Sequence, residues 1–282
     1  MSPTARRVPT ATVELAAIES GQGGRPLLVA HGLTGAKEDF ADHLERFAAS
    51  GWHMVVPDLR GHGESDAPAG EGEYGLEILA GDLVGAAGAL GWDRFALMGH
   101  SMGGMVAQRV AIGCPGRLTA LVLMDTHHGA VGVDRAMALG SVELVRDRGM
   151  GALADLVAAM GGGGLLQVPA HRPHHSREAW AALTDRKLRA SSPAMYVAMV
   201  AEMLDQGDRL AALAALAVPT LVLCGEHDHL FSEPSRRLAR AIPGARLELV
   251  AGAGHSPQHE APQAWAVAVL SFLDAAVPGG AS

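Results

Sequence analysis

Six runs, at 26–30, 53–57, 94–99, 118–124, 219–224 and 246–250, have strand length and are apolar along their course instead of alternating with polar residues. A strand without a polar face must be covered on both sides, which is the situation inside a parallel sheet. Helix-length segments separate them, at 39–50, 76–90, 102–112, 233–241 and 262–276. Strand and helix taking turns in this way predicts an α/β layered fold, with a mostly parallel central sheet flanked by helices. The alternation stops once. From about 126 to 216 the pattern is helical only, interrupted by a glycine run at 161–164. That is far longer than a crossover loop, which rarely passes about 15 residues. The expected organisation is therefore a core domain of 1–125 and 217–282 and a helical cap, 126–216, inserted over it.

Charge and cysteine content exclude several classes of function. Twenty-two basic against thirty acidic residues leave a net charge of −8. That balance offers no electrostatic footprint for a nucleic acid or an anionic membrane. Cys114 and Cys224 are far apart and neither belongs to a CxxC pair, which excludes a zinc ribbon or a disulfide framework and fits a reducing compartment. The N-terminal stretch lacks the apolar run of a signal peptide. The longest apolar run, 210–224, is broken by Pro219 and falls short of a bilayer span of about 20 residues. A cytoplasmic protein acting on a small molecule is the expectation, with its oligomeric state open. Of the 14 histidines, His171, His174 and His175 cluster, His127 and His128 are adjacent, and His255 and His259 lie four apart. None belongs to an H-E-x-x-H pattern or sits beside a cysteine pair, so no metal and no cofactor are expected.

The chemistry concentrates in Gly99-His100-Ser101-Met102-Gly103, a G-x-S-x-G that directly follows one apolar strand and opens a helix. A nucleophile raised on so sharp a strand-to-helix turn needs small neighbours two residues away on both sides. The turn also aims the serine at free N–H groups of the helix N-terminus, where negative charge is stabilised. A serine needs a base, and the base an orienting acid. Gly225-Glu-His-Asp228 ends one downstream strand, and Gly252-Ala-Gly-His255 follows the next. Both lie where strand C-termini emerge, the edge at which open α/β sheets place ligands. Glu226, two residues from Asp228, and Asp125, after the 118–124 strand, are competing candidates for the acid.

In these motifs, and in the chain order Ser101, Asp228, His255, the sequence resembles the α/β-hydrolase fold superfamily over nearly its whole length outside the insertion. His31-Gly-Leu-Thr-Gly35 resembles the family's oxyanion-hole turn, and Pro57-Asp-Leu-Arg-Gly-His-Gly-Glu-Ser-Asp66 its loop after the fourth strand. The resemblance implies Ser101 as nucleophile, His255 as general base and then acid, and Asp228 as the residue fixing the imidazole tautomer. It implies the backbone N–H groups of Leu33 and Met102 as the oxyanion hole, and Asp125 as the runner-up acid. His31, Gly32 and His100 are expected beside the site. Trp180 and Tyr196 are expected as aromatic cap surface, and the methionine stripe Met195, Met199, Met203 as an adaptable apolar pocket wall.

Relatives that open epoxides or remove halides attack with aspartate, so a serine elbow implies acyl chemistry. The expected reaction is hydrolysis of a small to medium, moderately hydrophobic carboxylic ester or lactone through an acyl-enzyme. The alternatives are a C–C hydrolase of the meta-cleavage-product type, a cofactor-free perhydrolase, and a ligand-binding receptor on a hydrolase fold. C–C hydrolases of that type typically carry tryptophan just after the catalytic histidine, whereas Ser256 follows His255 here.

Overall fold

The computed structural model describes residues 3–160 and 177–279. Its eight strands are β1 Thr4–Pro9, β2 Glu14–Ser20, β3 Arg25–Ala30, β4 Trp52–Pro57, β5 Phe95–His100, β6 Leu118–Met124, β7 Thr220–Gly225 and β8 Arg246–Val250. They form one sheet in the order β1-β2-β4-β3-β5-β6-β7-β8. β1 pairs antiparallel with β2, and β2 with β4; every other pairing is parallel. The helices are α1 Leu44–Ala49, α2 Leu76–Ala89, α3 Met102–Gly113, α4 Arg135–Ala159, α5 Arg177–Arg189, α6 Pro193–Asp205, α7 Leu210–Leu213, α8 Ser232–Ala241, α9 Pro257–Glu260 and α10 Pro262–Ala276.

The six apolar runs coincide with β3 to β8 to within one residue at each end. Their side chains divide between two cores. Leu28, Phe95 and Leu97 join the cluster under α2, α3 and α8, whereas Val29, Ala96 and Met98 join the one under α1 and α10. Two parts of the architecture differ from the sequence expectation. The β1–β2 hairpin extends the sheet at one edge, and β1 is exposed at every position but Val8, so it carries no strand-like pattern. The segment expected as one helix over 39–50 begins instead as a 3-10 helix, Lys37–His43, whose first residue Lys37 is drawn inward to Asp58 at 2.7 Å.

Trp265 of α10 anchors the second core. It is fully buried against Phe40, Phe47 and His43, with ring centroids at 6.0, 5.7 and 4.4 Å. Trp265→Ala is expected to lower unfolding stability by about 3–5 kcal/mol, read from the denaturant midpoint at unchanged slope.

Between β6 and β7 the chain runs through α4, α5, α6 and α7 with no strand among the described residues. The glycine run at 161–164 and His171, His174 and His175 lie outside the described residues. α4 is two helices joined at Gly149, whose φ of 74° breaks the helical course. α6 fastens this insertion to the sheet domain. The Ser192 N–H before it donates to the Gly61 carbonyl at 2.8 Å, and Glu202 accepts from the Leu76 N–H at 2.7 Å. Arg109 on α3 also reaches Glu202 and Gln206, at 3.3 and 3.2 Å.

Candidate active site

Ser101 stands between β5 and α3 with φ 53° and ψ −118°, conformational space that a residue with a Cβ enters only under strain. Such strain costs about 1–3 kcal/mol and persists only where the surroundings fix it. Here the Ser101 N–H donates to the Met124 carbonyl at 2.9 Å, and Thr126 Oγ1 donates to the Ser101 carbonyl at 2.7 Å. Close approach explains the flanking glycines. A Cβ on Gly99 would run into the Gly103 carbonyl, and one on Gly103 into the carbonyls of Ala30 and His31.

His255, on the loop after β8, meets Asp228, on the loop after β7, through Nδ1 and Oδ2 at 2.7 Å. Burial by itself would raise the Asp228 carboxyl. The hydrogen bond from His255 and its charge outweigh that and hold the group below the usual carboxylate range. The imidazole is fixed from several sides. Phe231 stacks on it with centroids 4.7 Å apart, and the His255 carbonyl accepts from His100 Nε2 at 2.7 Å. Glu260 accepts from the Gly254 and Ser256 N–H groups on either side. Burial, followed by repulsion from His255, depresses His100 to about 3, so His100 stays neutral beside His255.

The two competing acids take different places. Glu226 is exposed and accepts from the Gly252 N–H at 2.9 Å. Asp125 is fully buried at the end of β6 and faces Asp228 and Gly225.

The turn after β3 lies against the serine: a Cβ on Gly32 would come 3.2 Å from Ser101 Cβ. Its shape is set by the Gly35 N–H donating to the Gly32 carbonyl at 3.0 Å. His31 ties this turn to the next loop. Its Nε2 accepts from the Leu59 N–H at 3.0 Å, so Nδ1 carries the proton given to the Gly32 carbonyl at 2.8 Å. Burial keeps this imidazole below its ordinary pKa and therefore neutral. Met102 is the first residue of α3, where helix N–H groups have no partner within the helix.

A cavity of about 590 Å³ opens over these groups, lined by Leu33, Ser101, Asp228 and His255 on the sheet side. Its far wall comes from the insertion, chiefly Leu153, Val157, Tyr196, Val200, Met203 and Leu204. Gly32, His100, Trp180 and Tyr196, expected beside the site, line it as well. His31, Met195 and Met199 do not, which corrects the expected pocket. His31 is wholly buried behind the Gly32 turn. Met195 packs on the Gly61 loop and, like Met199, is fully buried, so most of the methionine stripe seats α6 and only Met203 of it reaches the cavity.

One polar corner of the cavity has no counterpart in any sequence motif. Lys187 of α5 pairs with Asp39 of the sheet domain at 2.5 Å, with His259 Nε2 3.7 Å from the same carboxylate. Burial would raise Asp39, but Lys187 and His259 together hold it far below the usual range. Trp180 lies edge-on to His259 at 4.7 Å and beneath the Lys187 ammonium at 5.5 Å.

Among the described residues, one trio of possible metal ligands comes within 4.8 Å of one another: Asp125, Cys224 and Asp228. Its chemistry suits an ion poorly. Burial and the neighbouring Asp125 push the Cys224 thiol far above its ordinary value, and Asp228 already commits one oxygen to His255. No described helix is long and apolar enough to cross a membrane.

Residues 25–262 match the family model described as alpha/beta hydrolase fold. A Bacillus subtilis protein provisionally named 2-succinyl-6-hydroxy-2,4-cyclohexadiene-1-carboxylate synthase is 28% identical over 90% of this chain and 92% of its own length. The enol-lactonase of Burkholderia xenovorans superposes with a TM-score of 0.78 at 26% identity, over 95% of this chain and 99% of that one. A thermophilic esterase of Thermogutta terrifontis, with malate bound, does so at 0.73 and 27% identity, over 97% and 99%. Several epoxide hydrolases are matched in sequence over shorter stretches, the chain spanning 30–39% of their length, whereas epoxide hydrolase A of Mycobacterium thermoresistibile superposes with a TM-score of 0.74 at 25% identity, over 96% of this chain and 98% of that one.

Proposed function

This chain belongs to the alpha/beta hydrolase fold family, and from that premise we propose that it is a serine hydrolase. Its substrate is a small to medium, moderately hydrophobic carboxylic ester or lactone, cleaved through an acyl-enzyme. The reading rests on one arrangement: His255 holding Asp228 at 2.7 Å through Nδ1, beside the strained Ser101, at the floor of a largely apolar cavity.

With Nδ1 committed to Asp228, Nε2 is the basic nitrogen of His255 and takes the Ser101 proton as Oγ attacks the carbonyl carbon. The oxyanion is received by the N–H groups of Leu33 and Met102, a donor pair of which each member is worth about 10²–10³ in turnover. His255 returns its proton to the leaving oxygen, and a water activated by the same nitrogen then releases the acid. The α4–α6 insertion acts as the cap: its side chains exclude water and bind the acyl or alkyl part of the substrate. Serine at the elbow, and not the likenesses, supports carbonyl–oxygen cleavage over epoxide opening.

An active-site fluorophosphonate is expected to label Ser101, and a panel of p-nitrophenyl esters and aliphatic lactones to be turned over. A folded protein that fails to label removes the nucleophile assignment. Labelling without turnover above a Ser101→Ala control removes simple ester and lactone hydrolysis.

The cavity wall sets chain length. Val157→Phe narrows it from the α4 side and is expected to lower kcat/KM for an octanoyl ester about tenfold or more, with acetyl ester turnover little changed. The loss corresponds to one or two methylenes refused by the pocket.

A further inference from the structure

Beneath the triad, two buried carboxyl groups face each other. Asp228 Oδ2 accepts from His255 Nδ1 at 2.7 Å, and Asp125 Oδ1 accepts from the Gly225 N–H at 2.8 Å. Their remaining oxygens, Asp228 Oδ1 and Asp125 Oδ2, are both closed to solvent and have no other donor. Carboxylate oxygens of the two residues lie within 4.8 Å of each other. Two carboxylates so placed cannot both be charged, and one proton between the unmatched oxygens satisfies both.

We propose that Asp125 is a neutral carboxylic acid that donates a hydrogen bond from Oδ2 to Asp228 Oδ1, making it a positioning residue for the triad acid. The inference rests on the triad reading above. Which member holds the proton follows from the partners. Asp228 faces the imidazole, whose bond favours a charged carboxylate. Asp125 has no cation beside it, and burial followed by the Asp228 charge pushes its carboxyl well above the usual range. Asp125 is also held at φ 44°, one of three positive-φ non-glycine residues among those described, with Ser101 and Thr34. The turn thus spends backbone strain on presenting this carboxyl. The bond consumes the free oxygen of Asp228 and leaves Oδ2 alone to face Nδ1, which fixes both carboxylate rotation and imidazole tautomer.

The titratable groups facing the pair are His255 and His100 on the triad side and Cys224 of β7. The sign of the pH effect is set by the raised carboxyl. Its contribution to folding stability is complete below about pH 4, the ordinary carboxylate pKa, and is lost as pH rises through the folded value.

The test compares Asp125→Asn and Asp125→Ala with the native protein, after fluorophosphonate labelling has established Ser101 as the nucleophile. Asparagine retains an N–H donor toward Asp228 and is expected to keep kcat within about tenfold. Alanine leaves Oδ1 unmatched and is expected to lower kcat about 10–100-fold at nearly constant KM, the usual range for losing an outer partner of a reactive group. At pH 7 an infrared carbonyl band of a protonated carboxylic acid should be present in the native protein and absent from Asp125→Asn. The stability difference between that variant and the native protein should change in favour of the variant from pH 4 to pH 8.

If Asp125→Asn loses about 10⁴-fold in labelling rate and turnover, Asp125 is itself the triad acid and the proposal fails. It fails equally if the infrared band is missing or if alanine matches the native kcat. Absence of labelling in the native protein instead defeats the nucleophile assignment. Should Asp125→Ala not fold, the asparagine variant's rate, band and pH dependence decide alone.

Discussion

Ser101→Ala is expected to lower kcat toward the best ester of the panel by about 10⁵–10⁶-fold and to abolish fluorophosphonate labelling, while KM changes little. That is the size of loss seen when the nucleophile of a serine triad is removed, and it leaves about 10³–10⁴ over water from binding and oxyanion stabilisation alone. The small effect on KM follows from the cavity, whose far wall is built from α4 and α6 side chains that the substitution does not touch. Stability should hardly change. Ser101 holds φ 53°, and alanine is as strained there as serine, so no relief comes from the backbone. A methyl takes the place of the hydroxyl at the cavity floor, so packing is little altered. A variant as stable as the native protein and inert toward the probe separates a chemical role from a structural one. A variant retaining a tenth of the rate would place the chemistry on another residue.

How far the sequence could be read depends on how many faces of an element are buried. β3 to β7 were legible because both faces of each strand are apolar, as Phe95 and Leu97 on one side and Ala96 and Met98 on the other illustrate, whereas the edge strand β8 carries Arg246 and Glu248 and is buried only at Val250. β1 was not, since an edge strand with Arg6 and Arg7 exposed looks like a loop. α6 shows the limit for helices. Met195, Tyr196, Val197, Met199 and Val200 are all buried, so the helix is covered on several sides. A stripe of methionines then reveals that a face is buried but not which partner covers it. The stripe seated the helix, and the adjacent face with Tyr196 and Val200 met the cavity.

The site divides in the same way. Ser101, Asp228 and His255 were legible as candidates because each follows a strand in a motif whose glycines are required, by close backbone approach at Gly99, Gly103 and Gly225 and by a φ of 71° at Gly252. Lys187, Asp39 and His259 could not, because they converge from three elements, the ion-paired two being 148 positions apart in the chain. Glu260 likewise carries no motif, although it holds the N–H groups on both sides of His255. Asp125 was visible only as a rival acid; its neutral role depends on the partner each of its oxygens finds.

Asp228→Asn is expected to cost about 10⁴ in kcat, the loss measured when a serine triad's aspartate becomes an amide and the imidazole adopts the wrong tautomer. The geometry says which way the introduced amide turns. With Asp125 donating to the oxygen on its side, the amide carbonyl takes that bond and the NH₂ group faces His255. Nδ1 must then accept, the proton moves to Nε2, and the nitrogen nearest Ser101 can no longer act as a base. As long as Asp125 keeps its proton, raising the pH does not restore the tautomer. The remaining rate should instead climb with hydroxide, which can take the serine proton directly. In the native protein Asp228 is held below the usual carboxylate range by His255, so it stays ionised throughout neutral pH and does not set the acid limb of the profile. A pH–rate profile of Asp228→Asn that keeps the native shape at a tenth of the native rate would mean that Asp228 does not orient the base. In the double variant Asp125→Ala/Asp228→Asn the amide is no longer held in one orientation. Part of the loss should be recovered there, and equal rates for the single and double variants would show that Asp125 does not choose the rotamer.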